Sequence, residues 1–427
     1  TIADNTATLS LGFDNTSTTF SGTIIDVAQV WTGRIALTKI GTGTQILSGV
    51  DTFSGATAVN VGTLVLNNLN AIKAGNSATV ASGAALQANQ AGTYSNITLT
   101  LAGIGAGTNQ GALFFNSAGT TTVSWPGPIA LTAATTIASY GVAYNVTLSG
   151  AITGSGPLIL SSRGGNVGSH TAVFTLSGSN SYSGTTTFHN NDGLLSATLK
   201  LGVANALPTG TSVTLNVNGT GASAILDLNG FAQELVGLAA TGVNTKRVIN
   251  SSGTATVLTI NNSAASAFAG ILGGGASGNN FSLVKLGSGT LTLTGNSTYA
   301  GGTTVSVGTV AVTTSQSSTP LGTGAVNMAG GTLSLQGGLL QQPLGLTGWN
   351  QDIIAEKTAA SPTVATTMSL PGNWVWYEQG APGSGQGLPT SRLVTSIYGT
   401  RPQFQFQPYT GNDALVLGDI QAVREAT

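Results

Sequence analysis

The hydrophobic pattern of this chain has a period of two. In Thr63-Leu64-Val65-Leu66, Ala172-Val173-Phe174-Thr175-Leu176, Ala255-Thr256-Val257-Leu258-Thr259-Ile260 and Thr290-Leu291-Thr292-Leu293-Thr294, the clearest runs alternate Leu, Val or Ile with Thr. Successive side chains of a strand point to opposite faces, so these runs predict short strands with one buried face. Thr suits the outward positions because its β-branch favours extended backbone while its hydroxyl meets water. The 62 glycines, with Asn and Ser, punctuate the runs and supply the positive φ that changes of direction require. Helical periodicity is scarce, and its best short candidate is 352–360.

The punctuation itself repeats. Lys39-Ile40-Gly41-Thr42-Gly43-Thr44 matches Lys285-Leu286-Gly287-Ser288-Gly289-Thr290. At equal spacing after each Lys come an aromatic and a glycine two residues on, Phe53/Gly55 and Tyr299/Gly301. Gly62-Thr63-Leu64 and Gly308-Thr309-Val310 then follow in register. A third, degenerate copy keeps Tyr182, Gly184, Thr185 and Thr186. A single such unit cannot bury its own hydrophobic face, whereas stacked neighbours cover one another. The fold class expected is all-β: a right-handed parallel β-helix or solenoid over residues 1–340. An antiparallel sandwich is the alternative, disfavoured because two-residue hairpin signals are few.

Beyond residue 340 the texture changes. Leu339-Leu340-Gln341-Gln342-Pro343 interrupts the repeat, and prolines recur at 362, 371, 382, 389, 402 and 408. Aromatics gather there too, with Trp374, Trp376 and Tyr377 in one extended segment and Phe404 and Phe406 alternating with glutamines. Residues 341–427 are expected to form a β-rich C-terminal cap or small domain that closes the stack. These five rings are the candidate interface, for another subunit or for sugar rings.

Composition narrows the function. Charged residues make up only 6% of 427, and 12 basic against 13 acidic residues leave a formal net charge of -1. Such a surface has little field to attract phosphate backbones, so nucleic acid is not an expected partner. Near-zero charge also removes the repulsion that opposes self-association. No run of continuous apolar residues is long enough to span a bilayer as a helix. Cysteine is absent, which excludes disulfides and thiolate chemistry. A chain numbered from Thr1 without Met reads as one whose signal peptide has been removed.

No constellation of catalytic residues emerges. His170 and His189 are the only histidines, and a metal site needs three or four converging ligands. The acidic residues form no Asp-Asp or Asp-x-Asp pair of the kind that acts on polysaccharide. Asp227, between Leu226 and Leu228, is expected to point outward from a strand. No Gly-x-Ser-x-Gly elbow and no nucleotide-binding glycine loop in a helical context is present. Neither a cofactor nor an enzymatic activity is expected.

The run from Lys285 to Gly295, followed by Tyr299, Gly301-Gly302-Thr303 and Gly308-Thr309-Val310, resembles the autotransporter-associated β-strand repeat of bacterial surface proteins. The resemblance implies a secreted, passenger-type β-helix displayed at the cell surface. The C-terminal residues depart from an autotransporter, lacking the series of amphipathic strands and the terminal aromatic of a membrane barrel. The expectation is a non-enzymatic extracellular structural protein, a rigid subunit of a surface layer or fibre that self-associates. The runner-up is an adhesin presenting loops such as 161–170 to neighbouring cells or surface glycans, and a polysaccharide-active enzyme comes third.

Overall fold

The computed structural model describes residues 5–26, 33–107, 111–116, 120–140, 143–163, 171–190, 196–218, 222–274, 277–313 and 319–336. Beyond these it describes the strands Leu344–Leu346, Ile353–Glu356, Thr367–Ser369, Trp374–Gln379, Ser391–Ser396, Gln403–Gln405 and Gln421–Arg424. The regular structure among the described residues is all β-strand. The chain forms two compact units: Thr1–Asp227 with Thr241–Lys246, and Leu228–Ala240 with Arg247–Thr427.

The first unit is a parallel β-solenoid. Leu37 pairs with Thr57, Thr57 with Ala78, Ala78 with Leu99, Leu99 with Ile129 and Ile129 with Ile152, all in parallel. Each step is one coil of roughly 20 to 30 residues, the period expected of stacked repeats. A second ladder climbs alongside it through Phe20, Leu47, Leu66, Ala88, Phe115, Ser139, Ser162, Asn190 and Val217. The 12-residue strand Ile129–Tyr140 joins the two. Its first residues pair in the first ladder and its last residues in the second. A third ladder stacks Val123, Val146, Phe174, Leu199 and Leu226, every one of them buried.

Alternation explains why these columns lie inside. In Thr171–Leu176, Ala172, Phe174 and Leu176 are buried while Val173 and Thr175 are half-exposed. Each buried Leu, Val or Phe contributes about 1.5 to 3 kcal/mol, but only once the adjacent coil covers its edge. Gly62–Leu66 and Leu113–Phe115 break the alternation, being buried on both faces.

The second unit repeats the architecture. One inward column runs Leu235, Ile260, Lys285, Val305 and Met328, and another runs Phe268, Leu293 and Val312. Parallel pairing continues through Ile353–Glu356 and Thr367–Ser369. Antiparallel pairing begins with Gln403–Gln405 against Thr367–Ser369, and in a three-stranded sheet centred on Trp374–Gln379.

One local expectation is corrected and one is refined. Within 352–360, the described strand Ile353–Glu356 pairs parallel with Thr332–Gln336, so cross-coil pairing overrides a weak helical pattern. Asp227 takes the strand face opposite inward Leu226, paired with Lys200 of the neighbouring coil, and is covered there. The strand ends at Asp227, and Asn229 and Gly230 turn the chain with φ of 50° and 84°.

Candidate functional site

The repeated residues converge on one structural node per copy. Lys39 takes an inward strand position, in register with Leu11 on one coil and Val59 on the next, and is wholly buried. An ammonium with no water must find other acceptors. Lys39 Nζ donates to Ile40 O and Gly41 O at 2.7 Å each and to Val61 O at 3.3 Å. Lys285, also wholly buried, repeats this with Leu286 O at 2.5 Å, Gly287 O at 2.7 Å and Val307 O at 3.4 Å. Each lysine thus ties its own turn to the turn one coil on. Burial lowers both lysine pKa values.

The turn glycines make this geometry feasible. Gly41 and Gly287 share a φ of 73°, and Gly62 and Gly308 share a φ of 70°, a region that suits glycine. A Cβ on Gly308 would also meet Lys285 Nζ and the carbonyls of Gly287 and Gly289 inside 3.0 Å. Lys246 shows the same chemistry outside the three repeats, donating to Gly242 O at 3.0 Å and Val243 O at 3.4 Å.

The repeat aromatics anchor a second point. Phe53, Tyr182 and Tyr299 are buried. Tyr182 Oη shares a 2.6 Å hydrogen bond with Thr186 Oγ1, and Tyr299 Oη is bonded to Thr303 Oγ1. Phe53 has no hydroxyl, and Thr57 Oγ1, at the matching position, is buried without a hydrogen-bond partner. Tyr299 also stacks on Phe281 of the preceding coil with centroids 5.4 Å apart. Gly55, Gly184 and Gly301 sit where a Cβ would strike the backbone at Ile35, Pro157 and Phe281, so only glycine permits that approach.

A third point escaped the sequence reading. Asp51, Asn180 and Ser297 stand two residues before the three aromatics. Each accepts a hydrogen bond from a backbone N–H of the preceding coil: Asp51 Oδ1 from Ile24 N at 2.6 Å, Asn180 Oδ1 from Ile152 N at 2.7 Å, and Ser297 Oγ from Leu272 N at 3.2 Å. The residue after each returns an N–H to the carbonyl of that same Ile or Leu. The constant offset from the aromatic was the available signal, hidden by the change of residue type.

The other candidates are dispersed. His189 lies on Thr186–Asn190, in register with Ser161 and Asn216, and its Nε2 is 2.9 Å from Asn216 Nδ2. Burial, then the Arg163 charge, lowers its pKa. His170 and Phe406 lie outside the described residues. Trp374, Trp376 and Tyr377 share the central strand of the antiparallel sheet, and Phe404 lies in Gln403–Gln405. Among the described residues no three His, Asp or Glu gather as metal ligands, and no helix is long and apolar enough to cross a membrane.

Comparison with known families gives one match, repeated. The passenger-associated-transport-repeat matches residues 37–66, 171–193 and 283–312. These segments contain Lys39, Phe53 and Gly62; Tyr182 and Gly184; and Lys285, Tyr299 and Gly308. No curated protein and no solved structure matches the chain.

Proposed function

We propose that this chain, a β-solenoid carrying three passenger-associated-transport-repeats, is a non-enzymatic structural subunit displayed outside the bacterial cell. The observation that carries the reading is where the repeat places its polar chemistry. Lys39 and Lys285 turn inward to bind a carbonyl one coil on, and Tyr182 and Tyr299 turn inward to bond the Thr186 and Thr303 hydroxyls of their own coil. On one face of the first unit the outward side chains are short and uncharged. One outward column runs Ser10, Thr38, Ala58, Thr79, Thr100, Ala130 and Thr153 across successive coils. Such a face opposes association by neither charge nor long side chains, which supports assembly into a surface layer or fibre.

The same hydroxyl-bearing face also favours a second reading, an adhesin that contacts glycans or neighbouring cells. Negative-stain microscopy of native material, with cell-binding assays on purified protein, distinguishes them. Ordered sheets or filaments support the structural role. Dispersed particles that bind cells and form no array support adhesion and overturn it. Release of reducing ends from bacterial or plant glycans would overturn the non-enzymatic reading.

A further inference from the structure

The capping position two residues before each repeat aromatic is occupied by Asn in one copy, Ser in another and a carboxylic acid in the third. Comparison among them isolates what the acid changes. Asn180 is a two-sided clamp: its Oδ1 accepts from Ile152 N on the coil before, and its Nδ2 donates to Ala206 O on the coil after, at 2.6 Å. Ser297 keeps the first bond, and its hydroxyl proton is directed to Gly295 O at 3.4 Å. Asp51 also keeps the first bond, at 2.6 Å to Ile24 N. Its second oxygen, Oδ2, is buried and has no hydrogen-bond partner.

The surroundings of Asp51 match those of its counterparts. Asp51 N donates to Asn70 O as Ser297 N donates to Thr319 O. Asn70-Ala71-Ile72 reads like Asn205-Ala206-Leu207, with the Ala and the aliphatic residue buried in both. By likeness to Asn180, Oδ2 takes the position of the Nδ2 donor that meets Ala206 O. An ionised carboxylate has no proton to give there, whereas a protonated one has.

We propose that Asp51 is an acid-closed latch for the first coil: protonated, it clamps residues 18–26 to the coils beneath, and ionised, it leaves a bare buried oxygen that loosens them. Asp51 is 2% exposed, and burial pushes its carboxyl up to about 6, with the Ile24 amide pulling the other way. The charged groups on the segments packed against it are Asp26 and Lys73. Burial pushes the Asp26 pKa up, but hydrogen bonds from Ser54 and from Ile35 N at 2.8 Å, with a smaller pull from Lys73, bring it below the ordinary value.

The sign follows from linkage. A carboxyl raised from 3.8 to about 6 on docking favours the docked coil fully below 3.8. That preference falls about tenfold per pH unit above 3.8 and is gone once the pH passes 6.

Hydrogen exchange on the full chain tests this. After correction for intrinsic rates, amides of residues 18–26 should exchange about a hundredfold faster in wild type at pH 7 than at pH 4. Asp51→Asn should remain protected at both, because it copies Asn180. Asp51→Ser, copying Ser297, should also show no pH dependence. The latch is overturned if wild type and both variants share one pH profile, or if wild type shows no change between pH 4 and 7. It is equally overturned if both variants leave residues 18–26 unprotected at every pH while the rest of the chain stays protected. In that case the carboxylate itself would be needed.

Discussion

Replacing Lys285 with Met keeps the apolar stem and removes the ammonium. Two carbonyls then lose short charge-assisted bonds, Leu286 O at 2.5 Å and Gly287 O at 2.7 Å, while the third at 3.4 Å was already weak. A bare buried acceptor costs about 1 to 3 kcal/mol, so two cost about 2 to 6. Met no longer has a charge to strip of water, which returns part of that, and a net loss of about 2 to 4 kcal/mol is expected. Coils in a solenoid contact mainly their neighbours, so the loss should concentrate locally. Urea titration gives the free energy, and hydrogen exchange should show protection falling most over residues 283–312. Lys73→Met serves as the control, since Lys73 is exposed and its removal should stay within about 0.5 kcal/mol. If Lys285→Met loses no more than Lys73→Met, the lysine does not hold the turn and the reasoning fails.

Further outcomes follow from the same geometry. Phe53→Tyr should add a hydroxyl opposite the unpartnered Thr57 Oγ1 and stabilise by about 1 kcal/mol, whereas Tyr299→Phe should destabilise by about 1 to 2. Thermal or urea unfolding reads both, and a Phe53→Tyr variant less stable than wild type would mean no room exists for the oxygen. Ending the chain at residue 340 removes Leu344–Leu346 and Ile353–Glu356, which pair with Val326–Met328 and Thr332–Gln336. The freed edges should promote aggregation, read by light scattering. A truncated chain that stays monomeric and assembles normally would count against the capping role of 341–427.

Much of the fold was legible because period-two patterning and glycine spacing are local signals. Ala172, Phe174 and Leu176 alternate in the sequence and alternate in burial. Lys39 and Lys285 marked the repeat, but their direction did not show, because a lysine inside an apolar column reads by residue type as surface. The clue was positional: each falls two residues after a core leucine, Leu37 or Leu283. The burial of Asp227 was illegible because the residue paired with it, Lys200, comes from another coil, which a local pattern does not show. Thr57, Thr186 and Thr303 were invisible as a set, since Thr is also the commonest outward residue here. Only the aromatic four residues before each sets the buried ones apart.

The central claim is that consecutive coils pair in parallel register, and a chain without cysteine allows a clean chemical test. Thr100 faces Thr79 across adjacent strands in the first unit, and Ala311 faces Thr292 in the second. Adjacent strands lie about 4.8 Å apart, within disulfide reach. The double variants Thr79→Cys with Thr100→Cys and Thr292→Cys with Ala311→Cys should each oxidise to an intramolecular disulfide. Thr38→Cys with Thr79→Cys should not, because Ala58 lies between them. Failure of both adjacent pairs to cross-link, or cross-linking only of the skipped pair, would contradict the stacked-coil account.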